Sequence, residues 1–408
     1  MAPTNRLTTL IIGWIDFLRR QESSFKVNIL RNFAQRFAAN LTYQYQPIYL
    51  TNLGASALTL GYLNSISGLV NTILSVPIGF AADRLGIKKV LIAYMLISIT
   101  SAAIFAFSGG WEMAAVALVL SGSVWILDRI VCPMICGALP SSERVTGMGI
   151  CDTISFFPQL IAPIVGATLI TYFGGMNPQG IRPLFYLQIA GLLVALAILV
   201  FWFKNPQAIK TTQKSNLIEG FRAIFREGRL IKRWLVLVVL AAFPQQVAFY
   251  TTLFAAQVRG ADPFIIGGMS AAGTIVFVFF AIPLAHMSDK YGRKKIAAVT
   301  ASMTVVGYIV LITAPNNLIL LLSGFLNGFN MSFTQNLMAI SVDLVPAQRL
   351  GSWIGLQGFF RGITSIASPI VCGYIWSYVL PNGVFYLLST TQVLAIIMLL
   401  LIPTEVTK

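Results

Sequence analysis

Of the 408 residues, 57% are hydrophobic and only 10% charged, against about 25% charged in a typical globular protein, and the mean hydropathy is +0.79. That balance excludes a soluble fold. The formal charge of +15 does not mark a nucleic-acid binder, because the basic residues sit in short loops between apolar stretches and not on one solvated face.

In chain order, residues 1–29 read as an N-terminal cytoplasmic amphipathic segment. Leu7, Leu10, Ile11, Trp14, Ile15 and Leu18 recur at helical spacing ahead of Arg19 and Arg20, the pattern of a helix lying in the inner interface. The apolar run Leu10 to Ile15 is followed by Asp16, Arg19 and Arg20 where a cleavage site would need small residues, so a signal peptide is not expected. Windows of about 20 apolar residues, each enough to cross the bilayer core, then fall near 30–50, 57–80, 90–108, 113–138, 147–173 and 183–203. A second set falls near 234–257, 264–286, 296–315, 317–342, 352–378 and 384–403. The fold class is therefore an all-α membrane protein, with twelve transmembrane helices in two pseudo-symmetric six-helix bundles, 30–203 and 234–403.

Between the bundles, 204–233 forms a central loop. Its Leu217, Phe221, Ile224 and Phe225 alternate with Arg222, Arg226 and Arg229 in a second amphipathic pattern. Residues 404–408 form a short tail. Of the 28 Lys and Arg, only Arg182 and Arg259 lie in loops of one set, Arg36, Arg129 and Arg361 lie at membrane depth, and the other 23 lie in the opposite loops and the termini. The positive-inside rule makes that second set cytoplasmic, with both termini, in an inner (plasma) membrane.

An internal repeat supports the two-bundle division. Displacing the chain by 206 residues lays Pro77-Ile-Gly-Phe-Ala-Ala-Asp83-Arg84-Leu-Gly86-Ile-Lys88-Lys89 on Pro283-Leu-Ala-His-Met-Ser-Asp289-Lys290-Tyr-Gly292-Arg293-Lys294-Lys295, Pro140 on Pro346, and Pro163-Ile-Val on Pro369-Ile-Val. Each copy follows the second span of its half, where the chain turns back into the membrane. Gly86 and Gly292 suit a tight turn with positive φ, the basic residues suit an anionic leaflet, and Asp83 and Asp289 at the border need a partner. A carboxylate contact of that kind can break when the halves part, which makes the motif a latch candidate.

With these motifs the sequence resembles the major facilitator superfamily, whose signature loop Gly-x-x-x-Asp-Arg-x-Gly-Arg-Arg/Lys lies between spans two and three, with a weaker copy between eight and nine. Gly79, Asp83, Arg84, Gly86, Lys88 and Lys89 match the first copy, with Ile87 in place of Arg; Asp289, Gly292, Arg293 and Lys294 match the second, with Ala285 in place of Gly. The resemblance spans essentially the whole chain. It implies that Asp83 engages the start of span eleven and a basic residue after span four, here Arg144, with Arg349 as the counterpart in the second half. Drug and proton antiporters of the family carry Gly-Pro-x-x-Gly-Gly in span five; Ala162-Pro163-Ile-Val-Gly166-Ala167 matches in part, and Ser368-Pro369-Ile-Val-Cys372-Gly373 repeats the kink in span eleven. Close packing through small residues explains both stretches as well. The family's Arg-x-x-Gln-Gly pattern in span four does not occur.

Five ionisable groups fall inside spans: Arg36, Asp128, Arg129, Asp152 and Arg361. By helical rise the first four lie about 10–15 Å from the inner end of the first half. They suit a network in which two arginines neutralise two aspartates, either to couple transport or to hold the bundle. Arg361, far from any acidic residue of its half, suits an anionic group on the substrate or a contact with carbonyls or water. In the resemblance, spans one, four, seven and ten line the cavity, and Asn40, Tyr43, Gln44, Trp125, Gln245, Gln246, Tyr250, Asn330 and Gln335 are the candidate substrate contacts there. His286 reads as an interfacial histidine in preference to a proton relay.

Cys132, Cys136, Cys151 and Cys372 all lie in apolar segments, so neither disulfides nor a metal site is expected. No cofactor is implied, and no Gly-x-x-x-x-Gly-Lys-Ser/Thr loop occurs, so energy comes from a gradient. The thirteen acidic residues are scattered, against an intramembrane enzyme. The expectation is a monomeric secondary transporter working by alternating access, exporting a small organic solute as a proton-linked antiporter. An organic-anion transporter, a lipid-moving transporter and a non-transporting receptor stay open beside it.

Overall fold

A computed structural model of the chain describes residues 17, 19–123, 132, 135–136, 139, 143–204, 229–346 and 349–403; the side chains at 75–76, 78–84, 123, 144–146, 152 and 229 lie outside the description. The described residues form helices and loops only. The first half runs α1 (Ser23–Thr42), α2 (Gln46–Asn52), α3 (Ala57–Leu85), α4 (Ile87–Phe107), α5 (Trp111–Ser123), α6 (Arg144–Tyr172) and α7 (Pro178–Trp202). The second runs α8 (Arg229–Gln246), α9 (Phe249–Gln257), α10 (Pro263–Tyr291), α11 (Arg293–Thr313), α12 (Asn317–Val342), α13 (Leu350–Tyr378) and α14 (Pro381–Leu400).

Seven of the described helices are long and apolar enough to cross a membrane, and α8 with α9 passes as a bent pair. Spans one and seven are both interrupted, before Gln46-Pro47 and after Pro244, each near one third of the way from the far end of the span. The polar run Tyr43-Gln-Tyr-Gln46 and the pair Gln245-Gln246 lie at these breaks. An interrupted helix leaves backbone groups unpaired, so it survives at membrane depth only where protein or a cavity surrounds it.

Helix packing repeats between the halves. The first bundle packs α1 on α6 and α7, α4 on α7, and α5 on α3 and α4; the second packs α8 on α13 and α14, α11 on α14, and α12 on α10 and α11. Among the described residues two main seams join the halves, α3 against α13 and α6 against α10, with a smaller contact of α2 on α9, and the two seams exchange under the same displacement of 206. Small residues make the seams close. A Cβ on Gly267 would stand 2.9 Å from the Pro163 carbonyl carbon, and one on Gly61 would stand 3.1 Å from that of Pro369.

The apolar core is divided in a way that matters for function. On the side away from the motif loops, one cluster combines both halves: Tyr45, Tyr49, Phe105 and Phe185 with Tyr250, Phe254, Leu311 and Phe385. On the motif side the described residues of each half form a core of their own, one around Phe25, Leu91, Met95 and Cys136, the other around Trp234, Leu237, Phe333 and Trp353.

Several sequence expectations change. Asp83, Arg84 and Asp289 are still helical, in α3 and α10, and the turn comes only at Gly86 and Gly292, with φ of +83° and +99°. α1 begins at Ser23, within the segment expected to precede the first span. Residues 1–16 and most of 204–233 lie outside the described residues. Phe17 is buried edge-on against Phe25, and Gln21 donates a 2.6 Å hydrogen bond to Glu143, so this stretch docks on the first bundle. A disulfide was not expected, yet Cys132 and Cys151 are bonded. Apolar surroundings do not prevent a bond between two cysteines on neighbouring helices once packing turns them toward each other.

Candidate functional site

The first group of interest stands at the breaks in spans one and seven. The break turns Tyr45 across the far side of the molecule, where its hydroxyl lies 2.8 Å from the carbonyl of Pro163 in its own half and 3.1 Å from that of Pro263 in the other. Tyr250 does the same from the second half, 3.2 Å from the Pro369 carbonyl of its own half and 2.9 Å from that of Ala57 across the seam. Pro163 and Pro369, and Ala57 and Pro263, are related by the displacement of 206, so the two tyrosines form a pseudo-twofold pair of staples. Both rings are fully buried. Gln44 adds a third bridge, donating to Ser270 Oγ at 2.9 Å and accepting from Thr252 at 3.3 Å.

The motif loops use their lysines symmetrically. Lys88 Nζ donates to the carbonyls of Val200 and Phe203 at 2.9 and 2.7 Å; Lys294 Nζ donates to those of Leu400 and Ile402 at 2.8 and 2.5 Å. These carbonyls end the last helix of each half, where acceptors have no intrahelical donor and the helix dipole favours a cation. The first lysine of each pair therefore closes its own bundle, and only Lys89 and Lys295 face outward. Arg293 pairs with Asp343 at 2.7 Å. Its first-half equivalents are Ile87 and Gly137, so both partners of that pair differ together. Asp289 and His286 are exposed at the end of α10, with His286 Nδ1 3.1 Å from the Ile282 carbonyl of its own helix; Arg349 is exposed at the start of α13.

Below the staples, on the motif side, α1 carries a polar network that the sequence reading missed. Arg31 is 2% exposed. Its guanidinium donates to Asn28 Oδ1 at 3.1 and 3.3 Å and to Gln35 Oε1. Gln35 donates to the Tyr94 hydroxyl at 2.7 Å, and Asn32 to Ser155 at 2.5 Å, so the network ties α1 to α4 and α6. Under the repeat, Asn28, Arg31, Asn32 and Gln35 correspond to Trp234, Leu237, Val238 and Ala241, four buried apolar residues. The i, i+3, i+4, i+7 spacing of polar residues across the start of the predicted span was the available signal; counting Arg31 with the loop residues concealed it.

Arg36 and Arg361 are half-buried in α1 and α13. Asp128, Arg129 and Trp125 lie outside the described residues, as do the side chains of Asp83, Arg84, Arg144 and Asp152, although Gly79 and the backbones of these last four are helical. Among the cavity candidates, Asn40 is buried and donates to the Arg36 carbonyl of its own helix at 2.8 Å. Gln245 bonds Thr334 of α12, whose hydroxyl also donates to the Asn330 backbone carbonyl of the same helix at 2.9 Å. Tyr43, Gln245 and Gln335 are exposed, and Gln246 is half-buried. Gln44 and Tyr250 spend their polar atoms between the halves. Asn327 Oδ1, Asn330 Oδ1 and Asn71 Oδ1 are buried without a hydrogen-bond partner among the described residues, the condition of acceptors that face water or a ligand.

The sequence matches the family profile described as Major Facilitator Superfamily over residues 30–284 and again over 255–408. A multidrug resistance protein, MdtG, of Salmonella typhi is 24% identical over 361 residues, covering 82% of this chain and 84% of that protein. An uncharacterized MFS-type transporter of Methanocaldococcus jannaschii is 21% identical over 387 residues, covering 91% and 92%. The crystal structure of a point mutant of the nucleoside transporter NupG superposes with a TM-score of 0.76 at 15% identity, over 93% of this chain and all of that one. Two duplicated bundles joined by symmetric seams, with the motif after the second span of each, are thus matched by profile, relatives and fold alike: the chain is a multi-pass membrane transporter of the Major Facilitator Superfamily.

Proposed function

We propose that the protein is a secondary transporter that exports a small organic solute by alternating access, coupled to inward proton movement, from an inner membrane with both termini cytoplasmic. The observation that carries this reading is the division of the core among the described residues: one shared cluster on the far side and two separate ones on the motif side. Halves that share a core at one end and not at the other are placed to rock about the middle, where the Asn327 and Asn330 acceptors have no partner among the described residues. Export has the support of a relative named for multidrug resistance. The motif loops act as latches on the side where the described residues of each half form a core of their own.

The Arg31 network favours a second reading, an organic-anion substrate. With Arg31 buried, four arginines at or near membrane depth stand against Asp128 and Asp152. Purified protein in liposomes, given an imposed pH gradient of either sign, tests the first reading: accumulation of a lipophilic dye must reverse with the gradient. Transport indifferent to the gradient refutes proton coupling. Thermal stabilisation by anions that Arg361→Ala abolishes brings the second reading forward; a ligand at about 100 times its Kd adds about 2.7 kcal/mol, enough to register.

A further inference from the structure

Three of the four cysteines gather at one place. Cys132, Cys136 and Cys151 hold their sulphurs within 4.8 Å of one another, and Cys132 Sγ lies 3.8 Å from Cys136 Sγ. Cys136 and Cys151 are buried in the motif-side core of the first bundle beside Phe25, Leu91 and Leu139, while Cys132 is half-buried. Two helical residues four apart share a face, and the third sulphur comes from α6.

Packing alone does not call for this set. At the equivalent positions of the second bundle stand Met338, Val342 and Gln357, so the same fold is built there with ordinary side chains. Cys372, by contrast, lies in the far-side core apart from the other three. A metal bound about 2.3 Å from each of three thiolates needs sulphurs about 4 Å apart, the separation already present between Cys132 and Cys136. Among the described residues the cluster contains no histidine and no carboxylate. An all-sulphur set of three selects a soft cation, and three ligands suit Cu(I) better than a tetrahedral zinc.

We propose that, in the reduced protein, Cys132, Cys136 and Cys151 form a binding site for a soft cation of the Cu(I) class, and that the Cys132–Cys151 disulfide is the oxidised, metal-free form of the same site. The balance is simple. A phosphine reductant, with water, delivers two electrons and two protons to the disulfide, returning two thiols, and leaves as the phosphine oxide. Cu(I) then displaces thiol protons into solvent as Cu–S bonds form, with no change of oxidation state. The half-buried Cys132 is the point of entry, and the ion ties span four to α6.

The test uses detergent-purified full-length protein, reduced anaerobically with a phosphine that is then removed, and Cu(I) presented as its complex with a chromophoric chelator. The reduced wild type is expected to withdraw one Cu(I) from the chelator. Cys136→Ser and Cys151→Ser are expected to lose at least about tenfold in affinity, Cys372→Ser none, and the disulfide form is expected to withdraw none. In the wild type, which needs no variant to fold, Cu(I) is expected to protect Cys132, Cys136 and Cys151 from alkylation, read by peptide mass spectrometry. Uptake unchanged in the Cys132/Cys136/Cys151 triple Ser variant, equal uptake by the disulfide form, or alkylation of the three thiols unchanged by Cu(I) overturns the proposal.

Discussion

Removing the two staple hydroxyls, in Tyr45→Phe and Tyr250→Phe, tests whether the far side is held shut by the bonds described. Each hydroxyl shares its single proton between a carbonyl of its own half and one across the seam, and only the cross-seam contact is lost when the halves part there. The cross-seam distances are 3.1 Å to Pro263 and 2.9 Å to Ala57. A net hydrogen bond contributes about 0.5–1.5 kcal/mol, so each single variant should shift the closed-to-open equilibrium about 2- to 13-fold. The double variant should shift it by about 1–3 kcal/mol, or about 5- to 150-fold. Spin labels at Asn52 and Val258, at the far ends of α2 and α9, report the populations as distance distributions in a background lacking native cysteines. Tyr49→Phe is the control: its hydroxyl contacts the Phe105 carbonyl and Ser108, both at 3.0 Å and both in its own half, so it should lower stability by a similar amount without changing the populations. If the double variant gives the same distances as the parent, or if Tyr49→Phe shifts them equally, the staple argument is wrong.

Three further outcomes follow from particular contacts. Lys88→Met and Lys294→Met should each destabilise the protein by about 1.5–3 kcal/mol, the range for charged hydrogen bonds, while Lys89→Met and Lys295→Met stay within about 0.5 kcal/mol; thermal unfolding in detergent checks the contrast. Gly61→Val and Gly267→Val should prop the seams apart, because a Cβ there meets a carbonyl group and the hydroxyl of Tyr250 or Tyr45; the same spin-label pair should read the far-open population, and unchanged distances would contradict the close approach. Arg31→Met should lower stability by about 1.5–3 kcal/mol, since Asn28 and Gln35 would lose their shared donor inside the bundle, whereas Leu237→Met at the equivalent position should cost less than about 1.5 kcal/mol.

Much of the architecture was legible before any coordinates. Apolar windows and the repeat at 206 depend on local hydropathy and on duplicated residues, and both survive in the linear chain; so do the positive-φ glycines, because a tight turn needs them wherever it occurs. Lys88 and Lys294 were visible as a repeated pair, but their partners lie more than a hundred residues away in sequence, and only the packing of the third span of each half on its last could show that they end a helix and do not simply face lipid. The same holds for Tyr250. Its place in a cavity-lining span made it a substrate candidate, whereas the break at Gln246 turns its hydroxyl onto two carbonyls.

What the chain alone determined is the set of properties that follow from composition and periodicity: membrane residence, span number, duplication and the basic loops. What the tertiary structure decided is which polar groups meet. Arg31, the two staples and the three sulphurs each owe their setting to side chains from separate helices. Hydropathy is blind to such meetings, because burying a polar atom among partners and exposing it to water leave the same mark in sequence.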